Sequence, residues 1–195
     1  MHGRPSAQQL RIIGGQWRGR RLTFPAIPGL RPTPDRVRET LFNWLAPTLS
    51  GARCLDLFAG SGALGLEALS RGAAEVVFVE CDRKAVHSLR DHLLKLNAAS
   101  MAQVYQAEVL TWLVQHGGRL PPFDIVFLDP PFGQNRLSLA CESLAQHGWL
   151  KVDSAQIYLE SEAEWTPQLP SDWMICREKR AGAVAYRLAR CSTAI

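Results

Sequence analysis

From residue 53 onward the chain alternates short apolar runs with longer amphipathic stretches, and that alternation leaves few folds open to it. The pattern predicts strands at Arg53–Phe58, Glu75–Glu80, Gln103–Ala107, Phe123–Leu128 and Gln156–Ser161, with helices at Ala63–Arg71, Arg83–Asn97, Leu110–His116 and Arg136–His147 between them. Repeated β-α-β units with continuously apolar strands imply a parallel sheet covered by helices on both faces. After Glu162 the pattern changes. A Pro-rich link from Thr166 to Pro170 leads to Trp173–Lys179, a turn at Ala181-Gly182, and Ala183–Ala189, which read as an antiparallel hairpin closing one sheet edge. The expected fold is α/β: a doubly wound, mostly parallel seven-stranded sheet with an antiparallel C-terminal hairpin.

Ahead of this core, Leu10–Ile13 and Gln16–Leu22 read as two strands joined by a Gly14-Gly15 turn. Side chains alternate along a strand, so Gln16, Arg18 and Arg20 share one face of this N-terminal basic β-hairpin and Trp17 the other. There Trp17 is as well suited to packing beneath the hairpin as to stacking on a base. Pro25, Pro28 and Gly29 form a loop. Thr33 then caps a helix whose first residue is Pro34. Val37, Leu41, Trp44 and Leu45 make its apolar face, Arg36 and Arg38 lie off that face, and Pro47 stops it.

With 195 residues, 47% apolar and 21% charged, the chain reads as one globular domain. It has no internal repeat or dividing linker. No apolar run approaches the ~20 residues of a membrane span, and Met1–Leu10 carries no hydrophobic signal core. Cys54, Cys81, Cys141, Cys176 and Cys191 are odd in number and widely spaced, and the five histidines form no ligand-spaced cluster with them. A disulfide scaffold and a zinc site are therefore not expected. The expectation is a reduced, cytoplasmic monomer with no metal and no membrane partner. Charge is unevenly placed: residues 1–40 hold eight arginines against Asp35 and Glu39, whereas residues 41–195 hold 14 basic and 16 acidic groups. An arginine-only front suits phosphate, because the guanidinium fork pairs with two oxygens at once. Arg11, Arg18, Arg20, Arg21, Arg36 and Arg38 are its candidate nucleic-acid-binding residues.

Two motifs fall at strand tips. Asp56-Leu57-Phe58-Ala59-Gly60-Ser61-Gly62-Ala63-Leu64-Gly65 leaves the first core strand and opens a helix, with Gly60, Gly62 and Gly65 in a G-x-G-x-x-G spacing. Glu80 ends the second strand, where a carboxylate can hold two ribose hydroxyls, with Cys81 beside it. Glu108 and Val109 follow the third strand, within reach of an adenine. These features fit two adenosine cofactors, NAD and S-adenosylmethionine (SAM). Asp56 favours SAM, since a carboxylate at the pocket floor suits an ammonium and is awkward beside a pyrophosphate. Phe58 and Ala59 stand where a dinucleotide fingerprint places small residues. After the fourth strand comes Asp129-Pro130-Pro131-Phe132, which favours SAM further. Proline stiffens the segment and leaves carbonyl acceptors without competing N–H groups. The Asp129 carboxylate and the Pro130 carbonyl can grip both hydrogens of a nucleobase amine while Phe132 stacks on the base. In a sheet of order 3-2-1-4-5 both motifs meet at the topological switch point.

Together with Arg11-Ile12-Ile13-Gly14-Gly15-Gln16-Trp17-Arg18-Gly19-Arg20 and Arg31-Pro32-Thr33-Pro34-Asp35-Arg36-Val37-Arg38-Glu39-Thr40-Leu41-Phe42-Asn43, these motifs resemble the RsmD family. The likeness runs from about Leu10 to Arg190 and includes Arg177-Glu178-Lys179-Arg180-Ala181-Gly182. Pro34 and Glu108 depart slightly from the family pattern. The resemblance implies a class I methyltransferase, Rossmann-like in fold, that converts SAM to S-adenosylhomocysteine. It implies as substrate the N2 amine of one guanine in 16S rRNA, within an assembled or assembling small ribosomal subunit. On this view residues 1–195 are a single methyltransferase domain, with 10–32 a basic hairpin extension and 33–195 the SAM-binding catalytic core. The residues alone leave other readings open: a DNA or adenine-N6 methyltransferase, an NAD-dependent oxidoreductase, or a non-catalytic RNA-binding assembly factor.

Overall fold

The computed structural model of the protein describes residues 8–27, 33–131 and 135–191. Strands β1 (Gln8–Arg11) and β2 (Arg21–Phe24) pair antiparallel at the N-terminus. Then come α1 (Asp35–Leu49), β3 (Arg53–Leu57), α2 (Ala63–Ser70), β4 (Glu75–Glu80), α3 (Arg83–Lys95), β5 (Ala102–Gln106) and α4 (Val109–His116). The chain continues through β6 (Ile125–Leu128), α5 (Arg136–Gln146), β7 (Gln156–Glu162), β8 (Trp173–Ala181) and β9 (Val184–Cys191). Strands β3 to β9 form one seven-stranded sheet in the order β5-β4-β3-β6-β7-β9-β8. The first five in that order are mutually parallel, and β9 is antiparallel to both β7 and β8. This is the expected doubly wound sheet with a reversed hairpin at one edge. Its switch point lies between β3 and β6.

Strand alternation divides the core into two layers. Cys54, Val76, Phe78, Ile125, Phe127, Tyr158, Tyr186 and Leu188 face α1, α2, α3 and the N-terminal hairpin. Leu55, Leu57, Val77, Val79, Val126, Leu128, Ile157 and Leu159 face α4 and α5. Trp112, Trp149 and Trp173 are buried in the second layer. By the same alternation Asp56 and Glu160 belong to the first layer, and Asp129, two residues past Phe127, follows it. The acids at the strand tips thus share one side of the sheet.

Three expectations about the N-terminal third are corrected. Residues 16–20 are not a regular strand: Gly15–Trp17 is a 3-10 turn, Ile12 N donates to the Arg20 carbonyl and Gly19 N to the Ile12 carbonyl, and the second strand begins at Arg21. Contacts with α2 pull this segment aside. Ile13 N donates to Glu67 Oε2 at 2.9 Å, Trp17 N to Ser70 Oγ at 3.0 Å, and Ser70 Oγ to the Gly14 carbonyl at 2.6 Å. Gly15 has φ +74°, and a Cβ there would overlap the Ser70 carbonyl. Trp17 is buried under the hairpin rather than offered to a base. Thr33 is not the α1 cap either: Pro34 holds that position, and the Thr33 hydroxyl is engaged elsewhere. Pro47 does not stop α1, which runs to Leu49. Leu41, Leu45 and Leu49 continue its buried face, and that burial outweighs one lost hydrogen bond.

Candidate active site

Two carboxylates shape the glycine loop. Asp56, 2% exposed, accepts a hydrogen bond from Gly65 N at 2.9 Å, which ties the end of β3 to the first turn of α2. Glu80 at the tip of β4 accepts from Gly60 N at 2.8 Å through one oxygen and from Asp82 N at 2.7 Å through the other. Asp82 in turn caps α3, accepting from Lys84 N and Ala85 N. Gly60 and Gly62 have φ of +54° and +77°, and Phe58 carries φ +63°, a left-handed conformation that costs a side chain about 1–3 kcal/mol. Such strain is tolerated where the backbone is held for a ligand. A Cβ at Gly65 would overlap the Phe78 ring, so the third glycine serves close packing of helix on strand. Ser61 is buried beside them.

The loop suits SAM in charge and shape. Glu80 retains acceptor capacity for ribose hydroxyls, and α2 starts with no side-chain cap from Gly62. Burial first, and then the Glu80 charge, push the Asp56 carboxyl up to about 8 against the Gly65 hydrogen bond. An acid held this high takes up a cationic partner with a gain in ionisation. Cys81 is exposed and Val109 is buried. Glu108 is engaged in capping α4, its Oε2 accepting from Thr111 N at 2.9 Å and Thr111 Oγ1 at 3.0 Å, while Oε1 lies 3.8 Å from the Arg136 guanidinium.

Across the switch point Asp129 leaves the end of β6, with Pro130 buried behind it. Thr33 Oγ1 donates to Asp129 Oδ2 at 3.2 Å, so the segment entering α1 orients this carboxylate. Leu128 pairs with Leu159, which sets Asp129 beside Glu160 one residue further along. Glu160 is 5% exposed and accepts from the Tyr158 hydroxyl at 2.7 Å. Burial, and after it the Glu160 charge, raise the Asp129 carboxyl well above the usual range, Asp56 adding to the effect and Thr33 opposing it. Burial likewise raises Glu160 against the Tyr158 hydrogen bond. Sequence reasoning missed Thr33, Tyr158 and Glu160 as members of this site. The available signal was a carboxylate interrupting Ile157-Tyr158-Leu159 at a fifth strand tip. Phe132 lies outside the described residues.

The arginine front separates into two sets. Arg18, Arg20, Arg21 and Arg36 are exposed, and Arg11 is exposed but paired with Asp35 at 2.9 Å. Arg38 is a correction: it is 1% exposed and spends its guanidinium inside the protein. It donates to the Thr33 carbonyl at 3.2 Å, to the Arg11 carbonyl at 2.8 Å, to Asp35 at 2.6 Å and to Glu67 at 3.4 Å. Having no contact with solvent, it cannot hold RNA phosphate. Position near a helix start concealed this, because Arg38 points beneath the hairpin rather than away from it.

A doubly wound sheet in this order, closed by a reversed hairpin and bearing a glycine loop at its first strand tip, defines the class I methyltransferase fold. The family described as Conserved hypothetical protein 95 matches residues 10–190, and the chain belongs to it, the RsmD family of methyltransferases. It is 54% identical to the ribosomal RNA small subunit methyltransferase D of Escherichia coli strain K12, across 92% of this chain and 89% of that protein. It is 46% identical to the protein of the same name from Haemophilus influenzae, across 94% and 95%. The solved structure of yhhF from Escherichia coli superimposes with a TM-score of 0.86 at 49% identity, covering 96% of this chain and all of the other.

Proposed function

We propose that this chain transfers a methyl group from SAM to the N2 amine of a guanine in 16S rRNA, acting in the cytoplasm on an assembled or assembling small ribosomal subunit. One observation carries the chemistry: a carboxylate oriented by Thr33 and followed by a proline carbonyl stands at the switch point, across from the loop held by Glu80 and Asp56. The relatives' names support RNA of the small subunit as the substrate. In the proposed division of the chain, residues 33–195 bind cofactor and react, and residues 10–32 extend toward RNA.

Glu80 would hold the cofactor's ribose, Asp56 its ammonium, and the backbone of Gly60, Ser61 and Gly62 would lie against it. Phe58, Cys81, Glu108 and Val109 would border the adenosine. Bound SAM supplies an electrophilic methyl carbon on a sulfonium. The guanine amine is a weak nucleophile because its lone pair is delocalised into the ring. Asp129 and the Pro130 carbonyl would accept its two N–H bonds, drawing nitrogen toward tetrahedral geometry with the lone pair aimed at the methyl. Orientation of this kind is worth effective molarities on the order of 10⁵ M or more. Nitrogen gains positive charge as it attacks, so an ionised Asp129 stabilises the transition state. The methyl–sulfur bond would break with release of S-adenosylhomocysteine, and the methylated amine would shed one proton to Asp129 or water. Phe132 would stack on a base extruded from its surroundings. Arg11, Arg18, Arg20, Arg21 and Arg36 would hold the RNA backbone.

The test is incubation with labelled SAM and hypomethylated small subunits, followed by mapping of the modified nucleotide. Label on a single guanine N2 of 16S rRNA is expected; label on adenine, or none, overturns the proposal. Asp129→Ala should lower turnover by about 10²-fold or more while leaving SAM affinity intact. Full turnover in that variant removes the carboxylate from the chemistry.

A further inference from the structure

Strand β8 forms the outer edge of the sheet, and from Met174 to Arg180 it is exposed along its whole length. Three cations sit near its end: Arg177, Lys179 and Arg180, none with an ion-pair partner among the described residues. The one acid between them, Glu178, is held by Arg187 at 3.0 Å. Register places these cations. Lys179 pairs with Tyr186, and Tyr186 pairs with Glu160 on β7. Glu160 stands beside Asp129, so one row across the sheet runs from the proposed reacting carboxylate to Lys179. Three strand spacings of ~4.8 Å put the row's two ends about 14 Å apart.

Direction and face agree with that placement. Strand β8 is antiparallel to β9, and β9 to β7, so β8 points the same way as β7 and ends at the rim that carries Asp129. Arg177 and Lys179 lie opposite Leu188 and Tyr186, and Tyr186 stacks on Trp44 of α1 with ring centroids 5.5 Å apart. They therefore stand on the same side of the sheet as α1 and the N-terminal hairpin. Arg180, next to the turn, borders the opposite side of the same tip.

We propose that the tip of the β8–β9 hairpin is a second RNA-binding element, with Arg177, Lys179 and Arg180 gripping backbone phosphates a few nucleotides from the target base. The inference rests on the reading of this chain as an RNA methyltransferase and adds to it a contact outside the N-terminal front. Its chemistry is electrostatic and independent of sequence: three cations without acidic partners at the mouth of an acidic crevice. A protein strand docking on this edge fits less well. The ladder shifts register between Ile175 and Arg177, and charged side chains on an edge discourage strand addition.

The test compares the wild-type protein with Arg177→Ala/Lys179→Ala/Arg180→Ala. Binding to naked 16S rRNA and to hypomethylated small subunits is measured across a salt series, and SAM affinity is measured by calorimetry. Three lost contacts should reduce the slope of log K against log salt by about 2, on both substrates, with SAM affinity unchanged. Arg177→Lys/Arg180→Lys keeps the charge and should keep the slope. An unchanged slope in the triple variant overturns the inference and leaves the proposed function standing. Weakened binding to subunits alone, with naked RNA unaffected, also overturns it by assigning the tip to a protein surface. Failure of the wild-type protein to bind either substrate overturns the inference and the proposed function together.

Discussion

Glu160 matters through what it does to the acid beside it. The groups facing Asp129 are Glu160 and Tyr158 from β7, Asp56 from β3 and Thr33 ahead of α1. Burial and the Glu160 charge hold the Asp129 carboxyl high, so a proton is retained into a range where an ordinary carboxylate has lost it. The proposed reaction needs that carboxylate as an acceptor, and the rate should therefore climb as pH rises through the raised value. Glu160→Gln removes the neighbouring charge and should move the acidic limb of kcat/KM to lower pH. A purely structural role would lower kcat and leave the limb in place. Asp56 offers a second test. Its carboxyl is pushed up to about 8, so near neutrality it is largely protonated, and a cationic ligand should expel the proton. SAM binding should then release protons, seen as a binding heat that varies with the buffer's ionisation heat, and Asp56→Asn should abolish that variation. A heat independent of buffer in the wild-type protein separates Asp56 from the ammonium.

At the scale of elements, Arg38 joins three parts that the sheet alone leaves apart. It reaches the N-terminal pair through the Arg11 carbonyl, the entry to α1 through Thr33 and Asp35, and α2 through the fully buried Glu67. Glu67 also takes Arg71 at 2.7 Å, so removing Arg38 leaves a buried carboxylate half-paired. Arg38→Ala should cost about 3–5 kcal/mol in denaturant unfolding. It should also loosen Thr33, which the same guanidinium holds next to Asp129. Arg36, two residues away and exposed, gives the contrast: Arg36→Ala should change stability by no more than about 0.5 kcal/mol while weakening RNA binding. Equal stability losses in the two variants would remove the distinction between strut and front. Sequence showed two arginines near one helix start. Only the packing of the hairpin on α2 told them apart.

For the molecule as a whole, two sets of acids pull stability in opposite directions with pH. Asp56, Asp129 and Glu160 have raised folded values, so their contribution is complete below the unfolded carboxylate range and is lost as pH rises through the folded values. Asp35 and Asp124 run the other way. Burial pushes them up, but hydrogen bonds from Arg38 and Arg11 to the first, and from Lys151 and Arg53 to the second, hold them below their ordinary value. Their contribution is present above the unfolded range and fades as pH falls through the folded values. The cofactor-free protein should therefore melt highest in mildly acidic buffer and lose Tm as pH rises from there to about 8, the value to which Asp56 is pushed, and SAM should reduce that loss. A flat Tm over this range would show that the crevice acids are not held protonated. Among the described residues no helix is long and apolar enough to cross a membrane.

The strand order, both motif positions and the reversed hairpin were legible because each depends on local signals: continuous apolar runs of strand length, glycines at fixed offsets, and prolines that admit few conformations. Glu80, Asp56 and Asp129 could be located because strand tips in such a sheet converge on one crevice. Register and burial are different in kind, since they depend on neighbours far away in the chain. They decided that residues 13–17 leave the ladder for α2, that Trp17 and Arg38 turn inward, that Thr33 serves Asp129 instead of capping α1, and that Glu160 and Lys179 share a row with Asp129. A side chain's local preference is worth tenths of a kcal/mol to about one, whereas burying it or satisfying its charge is worth several. Where the two compete, the tertiary contact wins.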